Sequence, residues 1–389
     1  MKIGLIIERF ARDGGGAEQW TWQLAHALAR RGHEVTVLAF HVPTPPEHPG
    51  VSTRTMSWHD DRLQRAHTAD ALLATLSLDV THDFGVCTRA DLLHSPSGSR
   101  LANAQRDWQS RTRLHRMVGR LDPRRIRWLR QLRHFESLRY PPPPEHLVVA
   151  VSRVVAADLM AWHRLSPAQV RVVPNGIDTA RFVPLRLAER DQLRQRRGLA
   201  GRTVLLFSAY NPRLKGFFPL LEAFARARVK HPELLLVAIG KAPDARTISA
   251  VRRLDLEDAV RFDGPVSDPL AHYHMADLFA LPSWHDACSL SVLEACACGV
   301  PVITTRTNGA SELITDGLDG RIIDMADDVD ALAAALMELA VPATRARISA
   351  HARCTAETHD FSRNVDRIEQ LYHEVVRLPS RSLRASEPA

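Results

Sequence analysis

The sequence predicts an α/β protein of two doubly wound parallel-sheet domains. Three observations predict it. The chain has 389 residues, more than one ordinary hydrophobic core accommodates. Short apolar runs of strand length alternate with stretches of helical period, which is the pattern of parallel βαβ units. The alternation runs from Lys2 to Pro174 and then restarts at Thr203.

The elements follow in order. Lys2–Ile7 is an apolar run of the buried-strand kind, and a loop with Gly14, Gly15 and Gly16 comes next. From Glu18 to Arg31, Trp20, Leu24, Ala27 and Leu28 make a helical stripe that Gly32 ends. Glu34–Phe40 completes a βαβ unit whose crossover should be right-handed. Leu78–His82 and Ala90–His94 read as short strands. Arg100–Leu138 reads as mostly helical with a break at Pro123, and the prolines at 141–144 stop it. His146–Val151 and Val170–Pro174 are the last strands of the first series. Thr203–Ser208, Leu234–Ile239, Val260–Phe262, Leu278–Leu281 and Val302–Thr304 are the strands of the second. The expected domains are 1–180 and 181–361, with a terminal helix 362–378 that suits either one and a disordered polar tail 379–389.

Composition narrows the function. Hydrophobic residues make up 45% and charged residues 24%, as in soluble globular proteins. No apolar run approaches the ~20 residues that span a bilayer. The apolar start is too short for a signal peptide, so a cytoplasmic location is expected. Five cysteines, an odd number without Cys-x-x-Cys spacing, argue against a disulfide framework or a zinc ribbon, and Cys296 and Cys298 read as core residues. The nineteen histidines include no His-Glu-x-x-His pair. The net charge of +7 is local: between Arg100 and Tyr140 twelve arginines face Asp107, Asp122 and Glu136, a balance of +9.

In open parallel sheets, ligands bind beyond the carboxyl ends of the strands. Three such places carry suitable chemistry. At the first, the strand Leu278–Leu281 leads to Asp286, and a helix is expected to start near Ser289 and to place Glu294 about a turn and a half inside. The free amides of Ser289, Leu290 and Ser291 would form an anion site reinforced by the helix dipole. Two carboxylates suit sugar and ribose, because each can accept both hydrogens of a vicinal diol. The plainer reading is a capped helix start with a solvent-facing Glu. At the second place, Asn211-Pro212-Arg213-Leu214-Lys215-Gly216 follows a strand and opens a helix. Its cations, Lys215 and Arg213, suit a departing diphosphate. A surface lysine is the alternative. The third is the Gly14–Gly16 loop, where Gly15 and Gly16 let backbone amides approach a phosphate. It lacks the Gly-x-Gly-x-x-Gly dinucleotide spacing.

Asp286-x7-Glu294, followed by Ala295-Cys296-Ala297-Cys298-Gly299-Val300-Pro301-Val302-Ile303, resembles the donor-site signature of glycosyltransferase family four. The family's usual motif is Glu-x7-Glu, and Asp286 is the shorter acid. Where the family has Arg-Lys-Gly, this chain has Leu214-Lys215-Gly216, so Lys215 matches and Arg213 is a stand-in two residues away. Asn175-Gly176-Ile177-Asp178 matches the family segment that leads into the second domain. The resemblance covers nearly the whole chain and is strongest from Leu278 to Leu313.

It implies the GT-B fold of two facing Rossmann-like domains and a retaining, metal-independent hexosyltransferase with no cofactor beyond a nucleotide diphosphate sugar, expected to be UDP-linked. Gly15 and Gly16 would lie over the donor pyrophosphate. His94 would hydrogen-bond the sugar, with a plain core histidine as the alternative and Asp83 as a second candidate. Asp328-Val329-Asp330 reads as a helix cap and no metal ligand.

The segment 100–140 interleaves its arginines with Trp108, Leu114, Met117, Leu121, Ile126, Trp128, Leu129, Leu132 and Phe135. Such a helix can lie on an anionic membrane surface. A solvated face over an ordinary core is the alternative. The resemblance to lipopolysaccharide-core glucosyltransferases, which act on a phosphorylated lipid acceptor, favours a peripheral site at the inner face of the bacterial inner membrane. Glu136 is expected to pair with a neighbouring arginine. The acceptor would be a lipopolysaccharide-core or related glycan, with capsule or exopolysaccharide synthesis as an alternative. An Arg-rich nucleic-acid-binding protein and a nicotinamide oxidoreductase are the competing classes. The absence of a recognised nucleic-acid module argues against the first, and the missing glycine fingerprint against the second.

Overall fold

The structure, a computed structural model, describes residues 1–111, 116–117, 120, 122–143 and 146–377. The chain forms two compact units. The first comprises Met1–Gln105, the described part of Thr112–Pro174, and the described residues from Ser362 onward; the second comprises Arg106–Arg111 and Asn175–Phe361. The change-over therefore falls at Pro174/Asn175, six residues before the expected 180, and the terminal helix belongs with the first unit.

The first unit holds seven parallel strands: β1 (Lys2–Arg9), β2 (Glu34–His41), β3 (Val51–Thr55), β4 (Val80–Asp83), β5 (Leu92–Ser95), β6 (Leu147–Ala150) and β7 (Val170–Val172). Their spatial order is β3-β2-β1-β4-β5-β6-β7. The order reverses direction between β1 and β4, so the loops after these two strands open the crevice where such sheets bind ligands. β4 and β5 each sit about two residues later than the apolar runs suggested, because their polar ends, His82-Asp83 and His94-Ser95, are buried and paired. Pro123 does not break a helix. It opens the helix Pro123–Arg139, with Asp122 as its cap accepting from Arg124 N, since proline's fixed φ and missing N–H are tolerated at that first position.

The second unit holds β8 (Thr203–Ala209), β9 (Leu234–Gly240), β10 (Val260–Gly264), β11 (Leu278–Leu281), β12 (Val302–Thr305) and β13 (Gly320–Ile323). All are parallel, in the order β10-β9-β8-β11-β12-β13, and the switch lies between β8 and β11. β3 and β13, which no apolar run announced, are edge strands. Only Val51 of β3 and Gly320 and Ile323 of β13 are buried.

The terminal helix Phe361–Val376 packs on the first sheet. Tyr372 OH meets His82 Nδ1 at 2.8 Å, Arg31 pairs with Asp366 and Glu369, and Arg171 pairs with Glu374. The expected tail 379–389, together with Leu114, Leu121, Pro144 and Leu378, lies outside the described residues.

Candidate functional site

The loops after β8 and β11 lie side by side at the switch of the second unit. Trp284 N donates to Leu214 O at 2.9 Å, tying one loop to the other. Gly216 makes that approach possible. Its φ is +76°, and a Cβ there would sit 1.9 Å from Pro282 O, so no other residue fits. Lys215, held just before it, extends Nζ to Asp286 Oδ2 in an ion pair. The Asp286 backbone is pinned on both sides, with its N–H on Thr307 O (3.1 Å) and its C=O accepting from Gly309 N (2.9 Å).

Ser289 is the cap residue of the helix Leu290–Ala297, and no side chain caps the amides that follow it. Ser289 Oγ instead meets Ser291 Oγ at 2.9 Å. The start of the helix therefore keeps amide donors and a positive dipole end three residues after Asp286. In the next turn, Glu294 accepts a 2.6 Å hydrogen bond from Tyr273 OH. Burial raises the pKa of Glu294, while the Tyr273 hydrogen bond and Arg181 pull it back. The result is a carboxylate fixed at one oxygen and able to accept more.

Lys215, Asp286, Ser289, Leu290, Ser291 and Glu294 thus converge at one switch point. Arg213 is placed differently. Its guanidinium is held by Asp107 and Ser110, so the stand-in cation already has a carboxylate partner. Asn175 Nδ2 donates to Cys288 O at 2.8 Å, which gives its segment a structural role here. Asp328 caps its helix by accepting from Ala331 N, as its position suggested. Cys288, Cys296 and Cys298 are buried thiols whose pKa burial raises, to about 12 for Cys288 and Cys298.

Gly15, Gly16 and His94 belong to the first unit. Gly16 begins the helix Gly16–Arg30, and Gly15 precedes it with no side-chain cap. His94 is a core residue, 2% exposed. It lies edge-on to Trp20, stacks on His82, and its Nδ1 is 3.1 Å from His82 Nε2. Burial, then the Arg139 charge, lowers its pKa to about 3. Asp83 is sealed as well, accepting from Gly85, Val86 and Cys87 amides and pairing with Arg139. Among the described residues Glu136 has no ion pair with an arginine side chain; its Oε2 lies 3.4 Å from His163 Nε2. It accepts from the backbone of Arg100 (2.8 Å) and Leu101 (3.2 Å), capping the helix Arg100–Gln109. The two amides are fixed by the start of that helix, so the buried carboxylate is held by charge-assisted hydrogen bonds to backbone.

The helix Pro123–Arg139 buries Leu132, Phe135, Glu136 and Arg139. Its outer surface carries Arg124, Arg127, Arg130 and Arg133, with Trp128 and Leu138 about half exposed. Among the described residues no helix is long and apolar enough to cross a membrane.

Sequence reasoning missed Tyr273 and Asn308. Asn308 is fully buried, accepts from Ser289 N and Ala310 N, and donates to Thr304 Oγ1, so it braces the helix start from behind. The Asn308-Gly309 pair after β12 was a turn signal that marked the place. Nothing in the sequence linked Tyr273 to Glu294, twenty-one residues away.

Two family models match the chain: Glycosyltransferase Family 4 over residues 14–181 and Glycosyl transferases group 1 over residues 189–353. A D-inositol 3-phosphate glycosyltransferase of Geodermatophilus obscurus is 35% identical over 247 residues, 59% of this chain and 54% of that protein. A GDP-mannose-dependent alpha-(1-6)-phosphatidylinositol monomannoside mannosyltransferase of Mycolicibacterium smegmatis is 36% identical over 46% of this chain and 49% of its own length. The chain thus spans about half the length of the curated relatives it matches. Among solved structures, WaaG, a glycosyltransferase involved in lipopolysaccharide biosynthesis, superposes with a TM-score of 0.77 at 20% identity, covering 95% of this chain and 99% of that one. Anabaena Alr3699/HepE in complex with UDP-glucose gives 0.73 at 18%, covering 96% and 100%. These two likenesses speak for the fold. With both family models in chain order and a parallel sheet in each unit, the chain carries a Glycosyltransferase Family 4 region followed by a Glycosyl transferases group 1 region and has the GT-B fold.

Proposed function

We propose that the protein is a retaining, metal-independent glycosyltransferase that moves a hexose from a nucleoside diphosphate donor to a phosphorylated or lipid-linked glycan acceptor. UDP-glucose is the donor to try first and GDP-mannose the second, since the M. smegmatis relative is GDP-mannose-dependent. One observation carries the reading: Lys215, Asp286, the uncapped helix start at Ser289–Ser291 and Glu294 share one switch point.

Each group then has a task. The leaving diphosphate sits on the amides of Leu290 and Ser291, and Lys215 leaves Asp286 to neutralise the charge that develops on it. Asp286, released, binds hydroxyls of the sugar, and Glu294, oriented by Tyr273, binds those of the ribose. With retention, the departing phosphate helps to take the acceptor proton, so no side-chain base is required. Gly15 and Gly16 are assigned to the pyrophosphate from the first unit. His94, buried in the core of that unit, is assigned no contact with the sugar.

The acceptor assignment rests on the basic helix and on relatives whose names specify phosphorylated inositols. The exposed Arg124, Arg127, Arg130 and Arg133 with Trp128 suit an anionic membrane surface, where each basic residue contributes about 1 kcal/mol before screening. A lipopolysaccharide-core acceptor at the inner face of the inner membrane is the specific form of this reading. Nucleic acid has no part in it. Calorimetric titration with UDP and GDP tests the donor side: binding that disappears in Lys215→Ala is expected. Absence of binding, or indifference to that substitution, would overturn the reading.

A further inference from the structure

The second unit has a cavity of ≈ 330 Å³ away from the donor loops. Ala276 and Asp277 line it just before β11, and Val300 and Pro301 just before β12. It therefore lies at the amino end of the sheet, opposite the loops that carry Lys215 and Asp286. Much of its wall is apolar, with Pro184, Leu185, Val300, Pro301, Pro342 and Ala346 contributing. Arg190 and Arg345 line it as well, and Asp277 is the one acid among the lining residues.

Asp277 Oδ1 accepts from Arg190 Nη2 at 2.7 Å, and Oδ2 from Arg194 Nη1 at 2.9 Å and Val204 N at 2.8 Å. Arg345 Nε stands 3.9 Å from Oδ1. Three guanidiniums thus surround a single carboxylate. Helix-end carbonyls answer part of the excess: Arg345 Nη1 donates to Ala340 O at 3.0 Å, and Arg190 Nε to His274 O at 3.1 Å. Among the described residues, Arg190 Nη1 and Arg345 Nη2 have no acceptor. Burial lowers the pKa of Arg345; Asp277 opposes the fall, and Arg190 and Arg194 add to it.

Two lining residues also hold Glu294. Tyr273 donates its hydroxyl to the carboxylate at 2.6 Å, and Cys298 N donates to the Glu294 carbonyl at 3.0 Å. A molecule filling the cavity therefore touches both supports of that residue.

We infer that this cavity is an effector site for a small organic carboxylate with an apolar body, whose occupancy is felt at Glu294. The two free Nη groups, one from each fork, offer a donor to each carboxylate oxygen. The prolines and Leu185 cover the apolar body. Binding stands on the cavity alone, and the effect at Glu294 rests on the donor role proposed above.

The experiment titrates the full chain with 1-naphthoate by calorimetry, with naphthylmethanol as the uncharged counterpart. Naphthoate should bind about tenfold or more tighter than the alcohol. Arg345→Gln should weaken naphthoate about tenfold and leave the alcohol unaffected. Asp277 keeps Arg190 and Arg194 in that variant, so no buried charge is orphaned. Ala346→Trp, at an exposed position of the helix Pro342–Thr358, should block both ligands by filling the cavity. Arg347→Gln, an exposed neighbour outside the lining, should change neither. Saturating naphthoate should shift the UDP dissociation constant about fivefold, and UDP should shift that of naphthoate by the same factor. No binding of naphthoate, indifference to Arg345→Gln and Ala346→Trp, or an equal loss in Arg347→Gln overturns the site. A UDP constant indifferent to bound naphthoate overturns its effector role. Naphthoate bound without UDP leaves the cavity standing and removes the transferase reading, and UDP bound without naphthoate does the reverse.

Discussion

At the switch point of the first unit, Asp83 ends β4 and meets Arg139; at that of the second, Asp286 follows β11 and meets Lys215. Each unit thus places an acid–base pair where its sheet opens. The side chains of Asp83 and Arg139 are 0% and 2% exposed, and both make further hydrogen bonds to backbone. Those of Asp286 and Lys215 are 16% and 23% exposed, and Lys215 has the flexible stem that lets an ammonium change partners. Burial decides what the pair is for. A sealed pair whose every lone pair is answered holds the loop after β4 in place, whereas an open one can exchange its partner for a ligand.

Substitution can break this contrast. Arg139→Met leaves Asp83 charged and buried, and about 3–5 kcal/mol of stability should be lost, read from urea midpoints. Replacing both partners with apolar residues should recover part of that loss. Lys215→Met should cost under about 1 kcal/mol of stability, while UDP affinity falls about 100-fold, which is about 2.7 kcal/mol. Equal stability losses in the two variants would erase the distinction. Glu294→Ala should weaken donor binding by about tenfold with turnover less affected, and Asp286→Ala should do the opposite; parallel losses in both constants would contradict the division.

A separate effect concerns pH. Burial holds His94 near 3 and lowers His82 as well, with Arg139 adding to the effect at His94. The native state therefore binds fewer protons than the unfolded chain. Stability is complete above the ordinary histidine pKa of about 6.5 and falls as the pH drops from there toward about 3. The slope is roughly 1.4 kcal/mol per pH unit for each such histidine. Thermal melts from pH 7 to pH 5 should show the decline, and His94→Asn should flatten it.

Much of the second unit was legible because its chemistry is local in sequence. Lys215 beside Gly216, and Asp286 eight residues before Glu294, are spacings fixed by a strand, a turn and a helix start. What was not legible is long-range. Tyr273 reaches Glu294 from another helix, and Asn308 braces Ser289 from across β12. In the first unit the polar strand ends misled. Asp83 and His94 look like residues presented to a ligand, yet Arg139, far along the chain, pairs with Asp83 and donates to the His94 carbonyl, and both lie in the core. Glu136 was placed correctly among arginines, but the amides of a distant helix claim it. Edge strands β3 and β13 escaped notice because half-solvated pairing demands no apolar run.

The return of the helix Phe361–Val376 to the first sheet has a consequence for dissecting the molecule. The first unit is assembled from both ends of the described chain, with the second, apart from Arg106–Arg111, inserted between Pro174 and Ser362. A fragment stopped at Pro174 would leave His82 Nδ1 without Tyr372, and Arg31, His33 and Arg171 without their acids. A fragment 175–361 keeps Lys215, Asp286 and Glu294 but forfeits Asp107 and Ser110, which hold Arg213. The severed guanidinium would then be free to bind whatever anion is offered, so a donor affinity measured on such a piece would describe a different site from the one in the intact chain.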